Sequence, residues 1–232
     1  MTKQNYFSKA EKIIWAFSVI LITAFFLLFD RGSYLTLVAS LLGTTSLIFC
    51  AKGNPLGQVL IIIFSLLYGY ISYTFAYYGE MITYLGMSAP MAVISLISWL
   101  KNPYNGNRAE VKVNRIGRGE ILFMIALTAA VTTVFGFILA ALNTTNLFFS
   151  TFSVATSFIA VYLTFRRTPF FPLAYAFNDV VLIVLWVMAA MHDASYVSVI
   201  VCFIMFLVND IYGFISWLRM EKRQKANSDI KF

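Results

Sequence analysis

A window of about 19 residues moved along the chain finds eight strongly apolar runs, near 12–29, 34–51, 56–78, 80–99, 120–142, 146–165, 170–191 and 195–218. Roughly 20 apolar residues in a helix cross a hydrocarbon core about 30 Å thick, so each run predicts a membrane-spanning helix. The joints between them are short and polar: DRGS, AKGNP, YYGE, NTTN, FRRT and HDAS. Pro55 and Pro169 stand near the start of the helix that follows, where a missing N–H costs least. One connection is long, Lys101 to Gly119, and it is polar and basic. The expected fold class is an all-α integral membrane protein with eight transmembrane helices.

The run from Phe170 to Met191 breaks the apolar pattern at its centre with Asn178 and Asp179. An ionisable group at the bilayer midplane costs roughly 2.5–3.5 kcal/mol on insertion scales, so this carboxylate must face protein or water. At 100° per residue Tyr175, Asn178, Asp179, Leu182 and Trp186 fall on one helical face. That face predicts an aromatic and polar strip turned into the bundle interior.

Composition agrees with the hydropathy pattern. Of 232 residues 60% are apolar and 12% charged, with a mean hydropathy of +0.81, which excludes an ordinary soluble domain. The net charge of +7 would suit nucleic acid, but the basic residues lie between the apolar runs and not on an amphipathic face, so no nucleic-acid partner is expected. They report topology. With a cytoplasmic N-terminus, every Lys and Arg of the 17 except Arg31 falls on the inside, Lys3 and Lys231 included. A multi-pass protein of the cell membrane with both termini cytoplasmic is therefore expected. The first run follows a basic N-terminus but lacks an A-x-A cleavage site, and reads as a retained helix. Arg166 and Arg167 read as positive-inside anchors. Asn143-Thr144-Thr145 is a sequon on the outer side.

The chain also repeats itself. Ile97-Ser98-Trp99-Leu100 closes the fourth run and Ile215-Ser216-Trp217-Leu218 the eighth, at an offset of 118, while Lys52-Gly53-Asn54-Pro55 matches Arg166-Arg167-Thr168-Pro169 at 114. Runs 2–4 and 6–8 thus read as two copies of a three-helix unit. One helix lies between them, so both copies enter the membrane in the same direction, a 3+1+3 parallel repeat with one additional N-terminal helix. The expected division is 1–33 (N-terminus and additional helix), 34–100 (first bundle), 101–143 (basic loop and linker helix), 144–220 (second bundle) and 221–232 (basic tail). Small transporters built from parallel repeats place their solute between the bundles near the midplane.

The candidate substrate-binding residues are Asp179, Asn178, Tyr175, Trp186, Tyr84, Asn209, Asp210, Tyr68 and Ser88. On run 7 the amide suits a ring substituent, the carboxylate suits ribose hydroxyls or a cationic ring, and the aromatics offer stacking or cation–π contact. Asn209 and Asp210 share a face of run 8 with Gly213 and Trp217, and serve either the solute or a cytoplasmic gate. Their repeat equivalents are Met91 and Ala92, so the polar pair exists in one half only. Tyr84, Ser88, Met91 and Ser95 line one face of run 4, which Gly86 and Pro90 loosen. Ser65, Tyr68 and Ser72 share a face of run 3, for pore lining or helix contact. Trp99 and Trp217 read as interfacial anchors, Glu80 and His192 as solvated turn residues, Cys50 and Cys202 as small core residues. The sequence has one His and no C-x-x-C, Walker A or G-x-S-x-G motif, so neither an enzyme nor a metal or other cofactor is expected.

The segment KGNPLGQVLIIIFSLLYGYISYTFAYYGEMITYL with its ISWLK end, and FFPLAYAFNDVVLIVLW with NDIYGFISWLR, resemble the PnuC family of vitamin transporters over about residues 34–220. The K-G-N-P turn, the YYGE turn and Tyr212-Gly213 to Trp217 carry the likeness. The resemblance implies a SWEET-like core and facilitated diffusion of an unphosphorylated vitamin, most often nicotinamide riboside. It further implies trapping by cytoplasmic phosphorylation, and a homotrimer. Tyr175 stands where the family usually has Trp, Asn178 at the family's Asn, and Tyr84 where an amide is usual; relatives carry thiamine, riboflavin or deoxynucleosides. The expectation is a uniporter that rocks two triplets. Proton coupling through Asp179, or a non-transporting scaffold or receptor in which the polar groups staple helices, are the alternatives.

Overall fold

The computed structural model describes residues 6–74, 78–144 and 146–229. Lys3, Lys231, Tyr77 of the YYGE turn and Thr145 of the sequon lie outside the described residues. The eight expected spans are eight helices: α1 (Lys9–Phe29), α2 (Tyr34–Ala51), α3 (Leu56–Thr74), α4 (Tyr78–Lys101), α5 (Arg118–Ala141), α6 (Leu147–Phe165), α7 (Phe171–Ala190) and α8 (Val197–Asp229). Their outward faces carry exposed Leu122, Phe137 and Phe148, the surface a bilayer covers.

The structure departs from the expected all-α chain at the long basic connection, where β1 (Pro103–Tyr104) and β2 (Asn107–Val111) form an antiparallel hairpin. Asn105 and Gly106 between them both have positive φ, as the tight Asn-Gly hairpin turn requires. The basic tail is helical as far as Asp229, because α8 continues into it. At about 1.5 Å per residue its 33 residues outrun the hydrocarbon core, and the last turns dock on the hairpin. Gln224 Nε2 donates to Val111 O at 3.0 Å, its Oε1 accepts from Val113 N–H at 2.8 Å, and Arg223 pairs with Glu110. Arg115 reaches Glu221 in the same way.

The two repeats close on each other through equivalent bonds. In the turn after α2, Gly53 has φ of 65° and its N–H donates to Cys50 O; in the turn after α6, Arg167 has φ of 57° and donates to Thr164 O. Both follow the αL helix-ending pattern. The loop beyond α4 then bridges them, Val111 N–H to Gly53 O and Asn114 N–H to Arg167 O. Gly57 of the K-G-N-P-L-G turn has a reason of its own, since a Cβ there would lie 2.7 Å from the backbone N of Cys50.

Trp99 and Trp217 do not face outward as interfacial anchors. Both are fully buried, with ring centroids 5.5 Å apart and Phe171 packed edge-on 4.8 Å from Trp217. Trp99 Nε1–H donates to Thr164 O on α6 at 2.9 Å, and Trp217 Nε1–H donates to Cys50 O on α2 at 2.8 Å. Ser98 and Ser216 add Oγ–H bonds to Phe165 O and Ala51 O. An indole buried among apolar side chains needs a partner for its N–H, and the open last turn of a helix offers free carbonyls. The end of α4 therefore caps α6, and α8 caps α2. The resulting apolar layer fills the bundle at its basic end.

Arg166 and Arg167 are also engaged. Arg166 Nη2 donates to Glu120 at 3.0 Å, and Arg167 Nη1 donates to Ser98 Oγ at 2.9 Å. The additional helix α1 packs on α2 and α8. A Ser8–Glu11 capping box starts it, and Glu11 also accepts from Lys52 at 3.3 Å and Tyr212 at 3.1 Å.

Candidate functional site

Above the tryptophan layer lies a cavity of about 170 Å³ between the halves. Its lining runs from Gly79 and Glu80 in the first turn of α4, and Thr144 before α6, down to Cys50, Gln58 and Phe171. α7 contributes Tyr175, Asn178, Asp179, Leu182 and Trp186, the predicted face. α4 contributes Tyr84 and Ser88, and α8 contributes Asp210.

Gly86 and Pro90 loosen α4 in a specific way. Pro90 has no N–H to give, and the residues before it, Tyr84–Ser88, form a π turn in which Ala89 N–H bonds back to Tyr84 O. Such single wide turns recur at functional sites. This one stands where Tyr84 and Ser88 reach the cavity.

Asn178 is held in one orientation. Its Oδ1 accepts the hydroxyls of Thr156 at 2.7 Å and Ser157 at 2.9 Å, both on α6. Two hydroxyls on one oxygen leave the Nδ2 hydrogens for something else, and among the described residues they bond to nothing. The side chain thus offers a donor to the cavity.

Asp179 and Asp210 approach each other from adjacent helices, their carboxyl groups within hydrogen-bond reach, and both are buried. No amide, hydroxyl or basic group of the described residues donates to Asp179 Oδ2, and neither residue joins an ion pair. Among the described residues no Lys, Arg or His lines the cavity.

The walls are aromatic. The Tyr84 ring packs against Tyr68 at 4.7 Å and Phe64 at 5.9 Å, and Phe64 meets Phe206 at 6.1 Å. Trp186 is braced by Tyr196 at 5.3 Å. Tyr175 stands beside Thr164 and Phe171, on the tryptophan layer.

Two of the expected residues stand back from the lining. Tyr68 is a buried support behind Tyr84, in contact with Ala39 and Ile71. Asn209 turns to α1, donating to Ser18 Oγ at 3.0 Å and to Met205 O at 2.7 Å, so it staples helices. Glu80, expected in a solvated turn, is half-buried on the lining and accepts from Ser72 Oγ at 3.5 Å. Its position four residues before Tyr84 on the same face was the available signal. Phe64 and Phe206 carried no polar mark, and Ser157 is one of several hydroxyl residues along its run.

A family model described as nicotinamide mononucleotide transporter matches residues 33–219. The chain belongs to that family. The PnuC resemblance is thereby established, over nearly the same stretch of the chain. A relative named nicotinamide riboside transporter PnuC, from Neisseria mucosa, is 27% identical over 217 residues, which is 92% of this chain and 82% of that protein. A solved structure described as the crystal structure of the vitamin B3 transporter PnuC is similar with a TM-score of 0.80 at 25% identity, over 94% of each chain. This PnuC-family chain is a multi-pass membrane transporter, not an enzyme.

Proposed function

We propose that this PnuC-family chain carries nicotinamide riboside across the cell membrane by facilitated diffusion, the vitamin being trapped afterwards by cytoplasmic phosphorylation. The observation that carries the reading is the pairing of an acidic spot with aromatic walls in a cavity that no basic side chain of the described residues lines. A pyridinium ring is a flat cation, which aromatic faces and carboxylates stabilise together. Its carboxamide oxygen can accept from Asn178 Nδ2, and ribose hydroxyls can donate to Asp179, Asp210 or Glu80. A phosphorylated nucleotide fits poorly, because its anion would meet carboxyl groups and no cation.

The architecture that goes with this reading is the SWEET-like 3+1+3 repeat, with 34–100 and 144–220 as bundles, 101–143 as the link, 1–33 as the additional helix and 221–232 as the tail. The crossed tryptophan bonds support it. The basic end is then cytoplasmic, with both termini there, the cavity reaches toward the outer turns, and the two bundles rock to exchange access. A homotrimer is proposed on the family resemblance alone.

Thiamine is the second reading, favoured by the same acidity, since its thiazolium ring is also a cation. A thermal-shift screen of nicotinamide riboside, thiamine, riboflavin and deoxynucleosides on detergent-solubilised protein decides between them, because a ligand that binds the folded state raises its stability by mass action. Nicotinamide riboside at a hundred times its Kd adds about 2.7 kcal/mol. No shift with nicotinamide riboside would overturn the assignment.

A further inference from the structure

Asp179 and Asp210 pose a problem of charge and hydrogen. A carboxylate is an acceptor only, so two ionised carboxyls within bonding reach have no hydrogen to share, and like charges that close repel strongly. Nothing nearby relieves them. The titratable groups that face the pair are Cys50 from α2, Tyr84 from α4, Tyr175 from α7 and Cys202 from α8, none of them a cation. Glu80, further along the lining, adds another acid.

We propose that Asp179 and Asp210 hold one proton between them in the free protein and release it when a monocation, such as a pyridinium or thiazolium ring, enters the cavity. This rests on the reading of the solute as a cationic vitamin. The O–H bond of the shared proton breaks, its electron pair stays on the carboxylate oxygen, and the proton passes to water and then buffer. Nothing is oxidised or reduced. One positive charge leaves as one arrives, so the loaded and free sites carry equal net charge, and loading adds no further charge to the membrane interior. Linkage then fixes the sign: a bound state with one proton fewer binds tenfold more weakly for each unit by which pH falls.

The test is calorimetric titration of the purified full-length protein at pH 7 in buffers of different ionisation enthalpy, with nicotinamide riboside and thiamine as separate probes. The expected result is release of about one proton per bound cation and an affinity about tenfold lower at pH 6 than at pH 7. In Asp210→Asn the amide takes the place of the protonated carboxyl, and binding proceeds with no proton release and less than a twofold change over the same interval. Nicotinamide riboside bound without proton release, at an affinity independent of pH, overturns the proposal and leaves the solute reading standing. Thiamine bound with proton release, and nicotinamide riboside not bound, keeps the proposal and removes the solute assignment. If neither cation binds, both fall. The wild-type proton count decides even where the variant does not fold.

Discussion

Asn178 and Asn209 are both buried amides on pore-side helices, yet their surroundings give them different work. Asn178 has its oxygen committed to two hydroxyls and its nitrogen free toward the cavity, whereas Asn209 spends its nitrogen on Ser18 and Met205. Asn178→Ala is expected to weaken nicotinamide riboside binding ten- to hundredfold, roughly 1.5–3 kcal/mol for a lost donor and two hydroxyls left unpaired, read by calorimetry. Asn209→Ala should leave the affinity within twofold and lower stability by about 0.6–1.7 kcal/mol, the range for interhelical bonds in membranes, read as a melting shift. Equal effects of the two substitutions on affinity would contradict the placement. Tyr175 gives a third case, since it borders the cavity with an aromatic ring. Tyr175→Trp is expected to tighten binding of a flat cation about two- to fivefold, because indole is the stronger cation–π partner.

At the scale of elements, the helices were legible because hydropathy over 20 residues is a strong signal, and the tetrapeptide returning after 118 marked the two tryptophans that make comparable bonds. The burial of the tryptophans was not legible. A Trp near the end of an apolar run has the same sequence context whether it faces headgroups or a partner helix, and only the opposing carbonyl decides. Glu80 was misplaced for a similar reason: an acidic residue in a short joint reads as solvated until packing brings the joint over a cavity. The hairpin did leave a mark, the Asn105-Gly106 pair, but its strands are too short to show alternation. Trp99→Phe and Trp217→Phe each remove one N–H donor from a buried carbonyl and should each cost about 1–3 kcal/mol. Because the two bonds are related by the repeat, their costs should be similar. A melting series on the single variants checks this, and a large inequality would speak against equivalent halves. Gly53→Ala should cost about 1–2 kcal/mol by the same measurement, since the residue is left-handed and its Cβ would press on Met220 and Val111.

The whole molecule is tied most firmly at one end. There the hairpin, the end of α8 and the turns after α2 and α6 form one bonded collar, while the opposite end has the short joints around Gly79 and Thr144. Removing residues 221–232 takes away the Glu221, Arg223 and Gln224 partners of Arg115, Glu110 and Val113. The truncated protein is expected to keep its affinity for nicotinamide riboside but to exchange the hairpin amides faster, measured by hydrogen–deuterium exchange. Unchanged protection of Val111 and Val113 would show that the tail does not secure them.

The crossed indoles set a condition on any passage through this protein. Each reaches over the central axis into the opposite half, so the floor beneath the cavity can part only if both give way in the same movement. A solute resting on Tyr175 and Phe171 presses on that floor directly, which makes its arrival felt by both halves at once. In the proposed rocking of the two bundles, opening downward therefore requires both latches to release, one on α6 and one on α2.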